Sequence, residues 1–370
     1  ALIVSYRRVW KTIPLFVPRH QSAGTKITVL IPARNEQAVI SECLQSLARQ
    51  SYPKDRFEVL VLDDHSTDAT TAAVRDFAVG GEANGLVLRC LPMAEVPQPT
   101  DVKAYKKWAI EKGIDTAAGD LIVTTDADCF FHPDWLSTMA ACHEEKGAVF
   151  IAAPVRIGTR HHSLLGIFQT LDFITLQGIT GAAVSSGFHS MCNGANLAYT
   201  RSSFYAAGGF AGIDHLPSGD DMLLMHKIRL HYPDRVSFLK SRQAIVTTRP
   251  ANGWKEFLHQ RVRWASKADS YQDKRVFWIL LLVYIVNASF IALFVAAFFN
   301  TWWLWVLLLL LVTKTIVEYP FVREVAGFFG QQQLMIYFPV LQPLHILYTV
   351  IVGWLGKFGS YDWKGRTTNK

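Results

Sequence analysis

LIVTTDADCF, residues 121–130, is a short, β-branched apolar run that stops abruptly on two carboxylates, Asp126 and Asp128. Such a run reads as a strand buried on both faces of a parallel sheet, with its acids at the C-terminal end, where α/β sheets bind ligands. Moving outward, ITVLI (27–31), VLVL (59–62) and residues 86–88 are runs of the same kind. Between them lie helical patterns. Ile40, Cys43, Leu44 and Leu47 recur at helical spacing, and residues 104–118 form a second such stretch ahead of Gly119. Strand and helix alternate over about 100 residues, which predicts a doubly wound, Rossmann-like α/β domain.

Acidic residues recur where the strands end. Asp63 and Asp64 in LDDHSTDAT follow the second strand, ahead of a helix that Ser66 or Asp68 can cap. The pair either faces the ligand crevice or shapes the turn. Asp126 and Asp128 alternate onto one side of an extended chain, a spacing that suits Mg²⁺ or Mn²⁺ bridging to a diphosphate. Further on, Gly219 permits an unusual turn before Asp220 and Asp221, which precede a helix carrying Met222, Leu223, Met225 and Ile228. One of the two acids is a candidate general base, or else a helix cap. In WKEFLHQRVRWASKA (254–268), Gln260, Arg263 and Trp264 share a helical face, with Arg261 beside them. A guanidinium can hold a diphosphate while an indole walls a sugar or lipid, and a juxtamembrane helix has the same composition.

The chain has 370 residues, half of them hydrophobic, with only 18% charged and a formal charge of +7. That balance is too apolar for a disordered chain or a nucleic-acid-binding tail. Its basic excess suits anionic lipid or phosphate-bearing ligands. Five scattered cysteines show neither a disulfide framework nor zinc spacing. The apolar excess is concentrated late. Residues 276–299 hold no charge and span roughly 36 Å as a helix, enough to cross a bilayer. A second span, 302–320, is interrupted by Lys314 and completes a hairpin with the first. A third stretch, 334–355, carries Pro339, Pro343 and His345, which suggests a broken, re-entrant segment.

Lys267, Lys274 and Arg275 precede the first span and the Asn300-Thr301 turn is uncharged, so everything before residue 275 is expected in the cytoplasm. A re-entrant third stretch leaves the basic tail (Lys357, Lys364, Arg366, Lys370) on that side too. Residues 322–333 (VREVAGFFGQQQ) read as its amphipathic approach, a collar for a lipid headgroup. Residues 1–24 read as a membrane-proximal segment, either the end of a truncated transmembrane helix or a short surface helix. The expected organisation is therefore residues 1–24, a cytoplasmic domain over 25–270, and a membrane region over 271–370.

Taken in order, VLIPARNE (29–36), LDDHSTDAT, KKWAIEKGI, TTDADC, GANLAYTR (194–201), SGDD and QRVRW resemble the family 2 inverting glycosyltransferases of GT-A fold over about residues 25–270. The Q-x-x-R-W element is similar to that of the membrane-associated members, and WKGR (363–366) resembles the small bacterial lipid and carotenoid type. The resemblance implies that Pro32, Ala33, Asn35 and Glu36 line a nucleotide pocket, with Asp63 and Asp64 at its wall and Asp64 on the base. It implies that Lys106 or Lys107 approaches the diphosphate, and that Asp126 and Asp128 hold Mg²⁺ or Mn²⁺, Asp128 the more direct ligand. Asp221 corresponds to the family's base, although Asp220 replaces the usual Glu. Gln260, Arg261, Arg263 and Trp264 would serve the acceptor and diphosphate side.

The implied partners are a nucleotide-diphosphate sugar, first a UDP-sugar, and a lipid acceptor at the cytoplasmic face of the inner membrane. No nucleic acid is expected. A processive polysaccharide synthase is the alternative within the enzyme class, and a non-catalytic nucleotide-sugar-binding scaffold the alternative outside it.

Overall fold

The computed structural model describes residues 1–19, 24–97, 104–158, 163–216, 219–266, 273–359, 361–363 and 366–368. Lys267, Lys364 and Lys370 lie outside the described residues. The chain begins with α1 (Leu2–Thr12), β1 (Ile27–Ala33), α2 (Ile40–Ala48), β2 (Phe57–Asp63), α3 (Thr70–Val79) and β3 (Val87–Pro92). It continues with α4 (Tyr105–Thr116), β4 (Leu121–Thr124), β5 (Cys129–Phe130), α5 (Trp135–Lys146), β6 (Phe150–Ala152), β7 (Val155–Ile157) and α6 (Leu164–Ser186). Then come β8 (Leu197–Thr200), α7 (Arg201–Ala206), α8 (Met222–His231), β9 (Val236–Phe238), β10 (Val246–Thr248) and α9 (Trp254–Ala265). Last are α10 (Lys274–Ala296), α11 (Trp302–Phe328), α12 (Phe338–Phe358) and a hairpin of β11 (Tyr361–Trp363) with β12 (Arg366–Thr368).

These elements form two compact units. One holds residues 13–156 and 184–249, and the other 1–12, 157–183 and 250–370. The first unit is built on a seven-stranded sheet of order β3-β2-β1-β4-β8-β6-β9. β1 pairs in parallel with β2 and β4, aligning Val29 with Val59 and Val123, while β8 runs antiparallel to both of its neighbours. The sheet is therefore mixed. β1, β2 and β4 are buried nearly throughout, as their continuous apolar runs dictate, whereas the edge strand β3 alternates with solvent. Gly119 marks the tightest approach before β4: a Cβ there would stand 2.4 Å from the Thr28 amide nitrogen.

In the second unit, α10, α11 and α12 are each long and apolar enough to cross a membrane by length and composition. Two expectations need correction. The second apolar helix does not stop at Pro320 but continues to Phe328. Its extra turns are held by burial of Phe321, Val322, Val325 and Ala326, by Gly178 of α6 packed under Phe321 and Val325, and by Trp10 edge-on to Phe328 at 5.6 Å. Tertiary packing thus outweighs the one backbone bond that Pro320 removes. Residues 322–333 are consequently the end of α11 and the start of a 3₁₀ turn (Gln332–Ile336).

The third stretch begins in that 3₁₀ turn, but its prolines do not break α12, which starts at Phe338. Pro339 lies in the first turn of α12, where a missing N–H costs little, and the helix continues past Pro343 to Phe358. At the other end of the chain, α1 buries Tyr6 and Trp10 and anchors Arg7 to Glu324 of α11 at 2.7 Å.

Candidate functional site

β1 and β2 end side by side, and the loops that follow them are laced together. The Asp64 amide donates to the Ala33 carbonyl at 2.8 Å, continuing the β1–β2 pairing beyond the strands. Asn35 and His65 both adopt left-handed backbone, with φ of 54° and 56°. In that conformation the Asn35 amide donates to Ser66 Oγ at 3.0 Å, and Asn35 Oδ1 accepts from the Thr67 amide at 2.8 Å. The Glu36 amide donates to Thr70 Oγ1 and the Gln37 amide to Asp68. Burial pushes the Asp68 carboxyl up, but bonds from Thr70 and Gln37 outweigh it and hold the group below its ordinary value.

Asp63 is used by the turn itself. One oxygen accepts from the Ser66 amide at 3.1 Å and the other from the Thr71 hydroxyl. Asp64 Oδ1 lies 3.0 Å from His65 Nδ1, and both acids are nearly inaccessible. Pro32 and Ala33 form the floor of this edge as the last residues of β1.

Beside it, three carboxylates, those of Asp126, Asp220 and Asp221, act on one ammonium, and Asp128 lies close enough to Asp126 to feel its charge. β4 stops at Thr124, so Asp126 and Asp128 stand in the turn before β5 and not on an extended strand. Strand alternation therefore does not orient them. Tertiary contacts aim them instead. Asp126 Oδ1 lies 3.3 Å from Lys106 Nζ, and Asp128 Oδ2 accepts from Thr248 Oγ1 at 3.0 Å. Lys106 Nζ also lies 3.2 Å from Asp220 Oδ2.

Asp221 caps α8, with Oδ1 taking the Met222 amide at 2.7 Å and Oδ2 taking the Gly194 amide at 3.1 Å. Gly219, at φ 81°, supplies the turn that brings these acids in. Burial disfavours the Lys106 charge, but Asp126, Asp220 and Asp221 outweigh it and raise the group above its ordinary value. Burial and the charge of Asp126 push Asp128 up, partly offset by Thr248.

The two lysines that the sequence left equivalent have different partners. Lys107 is 1% exposed and donates to the carbonyls of Ile213 and Leu216 at 2.6 and 2.9 Å, a tether for the segment ahead of the acids. Sequence reading missed Thr248, which reaches Asp128 from 120 positions away, and His65, whose ring stands edge-on to Tyr105 at 6.1 Å. Position carried no sign of the former. The latter's place directly after the acidic pair was a usable signal.

The donor set fits a hard divalent cation. Among the described residues no three His, Cys, Asp or Glu side chains are grouped to hold a metal, so Asp126 and Asp128 would need diphosphate oxygens and water to complete the shell, a habit of Mg²⁺ and Mn²⁺. Cys43 and Cys129 flank these acids, and burial pushes both thiols above their ordinary value.

In the second unit, α9 carries Gln260, Arg261, Arg263 and Trp264. Arg261 is 2% exposed. It pairs with Asp172 of α6 at 3.0 Å and lies over the rings of Trp264 and Phe257 at 4.2 and 4.9 Å. Gln260 accepts from Arg261, while Arg263 is half-buried. At the chain end, Trp363 pairs with Arg366 across the β11–β12 hairpin.

Residues 28–203 match the model of Glycosyl transferase family 2. The chain is 27% identical over 245 residues to the probable glycosyltransferase YdaM of Bacillus subtilis, covering 65% of this chain and 54% of that protein. It is 26% identical over 188 residues to the 4,4'-diaponeurosporenoate glycosyltransferase of Staphylococcus aureus, covering 50% and 46%. The chain thus spans about half the length of these relatives. In fold it is similar to the mannosyltransferase PcManGT of Pyrobaculum calidifontis, solved with GDP-Man and Mn²⁺, at TM-score 0.60 and 20% identity over 92% of this chain and 94% of that one. Residues 28–203 are thus a glycosyl transferase family 2 domain.

Proposed function

We propose that this chain is a membrane-bound, inverting glycosyltransferase that moves a sugar from a nucleoside-diphosphate sugar, first a UDP-sugar, onto a lipid or lipid-linked acceptor at the cytoplasmic face of the cell membrane. The observation that carries this reading is the convergence of Asp126, Asp220 and Asp221 on Lys106, with Asp128 next to Asp126, beside the joined ends of β1 and β2. Pro32, Ala33, Asn35, Glu36 and Asp64 are the proposed nucleotide wall. Asp126 and Asp128 would hold Mg²⁺ or Mn²⁺, which when bound neutralises charge on the departing diphosphate.

Asp221 is the proposed general base. Two amide donors orient its carboxylate, and it would take the proton of an acceptor hydroxyl as that oxygen attacks the sugar's C1 and the C1–diphosphate bond breaks. Asp220 is the second candidate. Gln260, Arg263 and Trp264 are proposed to serve acceptor and diphosphate, with Arg261 as their packing support.

The membrane side of the proposal is supported by how α12 packs on α9. Tyr348 stacks near Phe257 at 5.4 Å and Gly356 abuts Ala265, eight positions further along both helices, so the two run parallel. α9 exposes Lys255, Glu256 and His259, which do not enter hydrocarbon cheaply. A helix bound along it is therefore proposed to lie in the interface and leave the basic tail on the cytoplasmic side. α10 and α11 would supply the membrane crossing.

The test is incubation of the purified protein with radiolabelled sugar nucleotides, Mn²⁺ and extracted membrane lipids, followed by mass and anomeric analysis of products. A single sugar added with inverted configuration is expected. A polymer, retained configuration, or no transfer across nucleotides and acceptors would sink the reading.

A further inference from the structure

Lys106 occupies a place that the metal reading of the site leaves unexplained. Its ammonium bridges Asp126 Oδ1 at 3.3 Å and Asp220 Oδ2 at 3.2 Å, joining the turn after β4 to the loop before α8. A Cβ built on Gly194 would stand 3.6 Å from Lys106 Nζ, 3.6 Å from Asp220 Oδ2 and 3.7 Å from Asp221 Oδ2, so backbone closes one side of the cluster. Asp126 is 43% exposed and remains open to solvent, whereas Asp220 is 13% exposed.

We propose that Lys106 is the resident counter-ion of the acidic cluster and exchanges with the divalent cation at Asp126, so that metal binding without nucleotide is suppressed and nucleotide binding relieves the suppression. This rests on the reading of the site as one for a nucleoside-diphosphate sugar.

A cation at Asp126 and Asp128 must share Asp126 with an ammonium already hydrogen-bonded to it, and two positive charges at one carboxylate repel each other strongly in a partly dry site. A diphosphate brings enough negative charge to accept both. Lys106 is suited to the exchange because its charge is compact and its stem flexible, and because Asp220 keeps hold of it when Asp126 is taken. Lys107, fixed by two carbonyls, could not move in this way. Metal and nucleotide must then bind with positive coupling, each raising the other's affinity by the same factor.

The test is Mn²⁺ titration of the full chain in detergent, with free Mn²⁺ read by its paramagnetic resonance signal, with and without UDP or GDP; no turnover is needed. Lys106→Met should bind Mn²⁺ about tenfold more tightly than wild type without nucleotide and lose most of the nucleotide enhancement, while Lys106→Arg should follow wild type. Lys106→Gln, uncharged but polar, is read in parallel in case the methionine variant does not fold. Unchanged or weaker Mn²⁺ binding in folded charge-free variants would overturn the proposal, as would wild-type affinity that ignores nucleotide. Sugar transfer that persists in EDTA, with no Mn²⁺ bound under any condition, overturns it while leaving the transferase reading intact. The expected Mn²⁺ pattern without transfer to any acceptor supports it and counts against that reading.

Discussion

Two charged clusters in this chain are built on opposite terms. In the sheet unit, three carboxylates face one ammonium, a fourth, Asp128, adds its charge beside Asp126, and Asp126 remains 43% exposed. In the helical unit, Asp172 and Arg261 are 6% and 2% exposed, matched one to one and roofed by aromatic rings. Lys314, Glu318 and Gln342 close a second matched set between α11 and α12, with contacts of 2.7 to 2.9 Å. A balanced, dry cluster holds helices together. An unbalanced, wetter one is costly to the fold, and the proposed cation would relieve that cost, so excess charge separates the candidate site from the structural pair better than burial or residue type does.

The contrast can be broken most severely at Asp128. Asp128→Ala should reduce kcat by more than about a thousandfold, roughly 4 kcal/mol of barrier, with the far-ultraviolet dichroism and melting point retained. A melted spectrum would move Asp128 to the structural class. Asp172→Ala should do the reverse, costing about 3–4 kcal/mol of stability by leaving Arg261 buried and unpaired, as read by denaturant unfolding in detergent. An unshifted midpoint would show that the helical cluster is not structural.

Lys107→Ala should cost about 2 kcal/mol, since two carbonyls lose their donor, and leave Mn²⁺ affinity unchanged, whereas Lys106→Met at the next position should change Mn²⁺ affinity. An equal change of Mn²⁺ affinity in both would erase the distinction between them. The smallest effect belongs to the exposed Arg249–Glu42 pair, where Arg249→Ala should change stability by under about 0.5 kcal/mol. Acceptor chemistry sharpens the site half. Loss of transfer in Asp221→Asn points to a hydroxyl acceptor, and survival points to an anionic one that needs no base.

Much of the sheet unit was legible because its signals are local. The runs at β1, β2 and β4 are apolar without a break, and the acids fall within a few residues of their ends. What escaped depends on partners far along the chain. Thr248 meets Asp128 only because β10 pairs with β5, aligning Thr248 with Cys129. Nothing in KKWAI separates a lysine aimed at carboxylates from one aimed at carbonyls, since adjacent helical residues face about 100° apart and only the surroundings say what lies there. Pro320 and Pro343 misled for the same reason, because local chemistry predicts a break and packing elsewhere repays it.

The sequence by itself determined the alternation of strand and helix, the acidic strand ends, the apolar helices and the family resemblance, because each is written in composition and periodicity over a dozen residues or fewer, or in short motifs. Only the tertiary structure decided that β8 runs antiparallel within the sheet, that Lys106 and not Lys107 joins the acids, and that Arg261 is locked to Asp172 inside the helical unit. The physical reason is that charge pairing and burial act between groups brought together from 20 to more than 100 positions apart, a separation over which local sequence carries no geometric information.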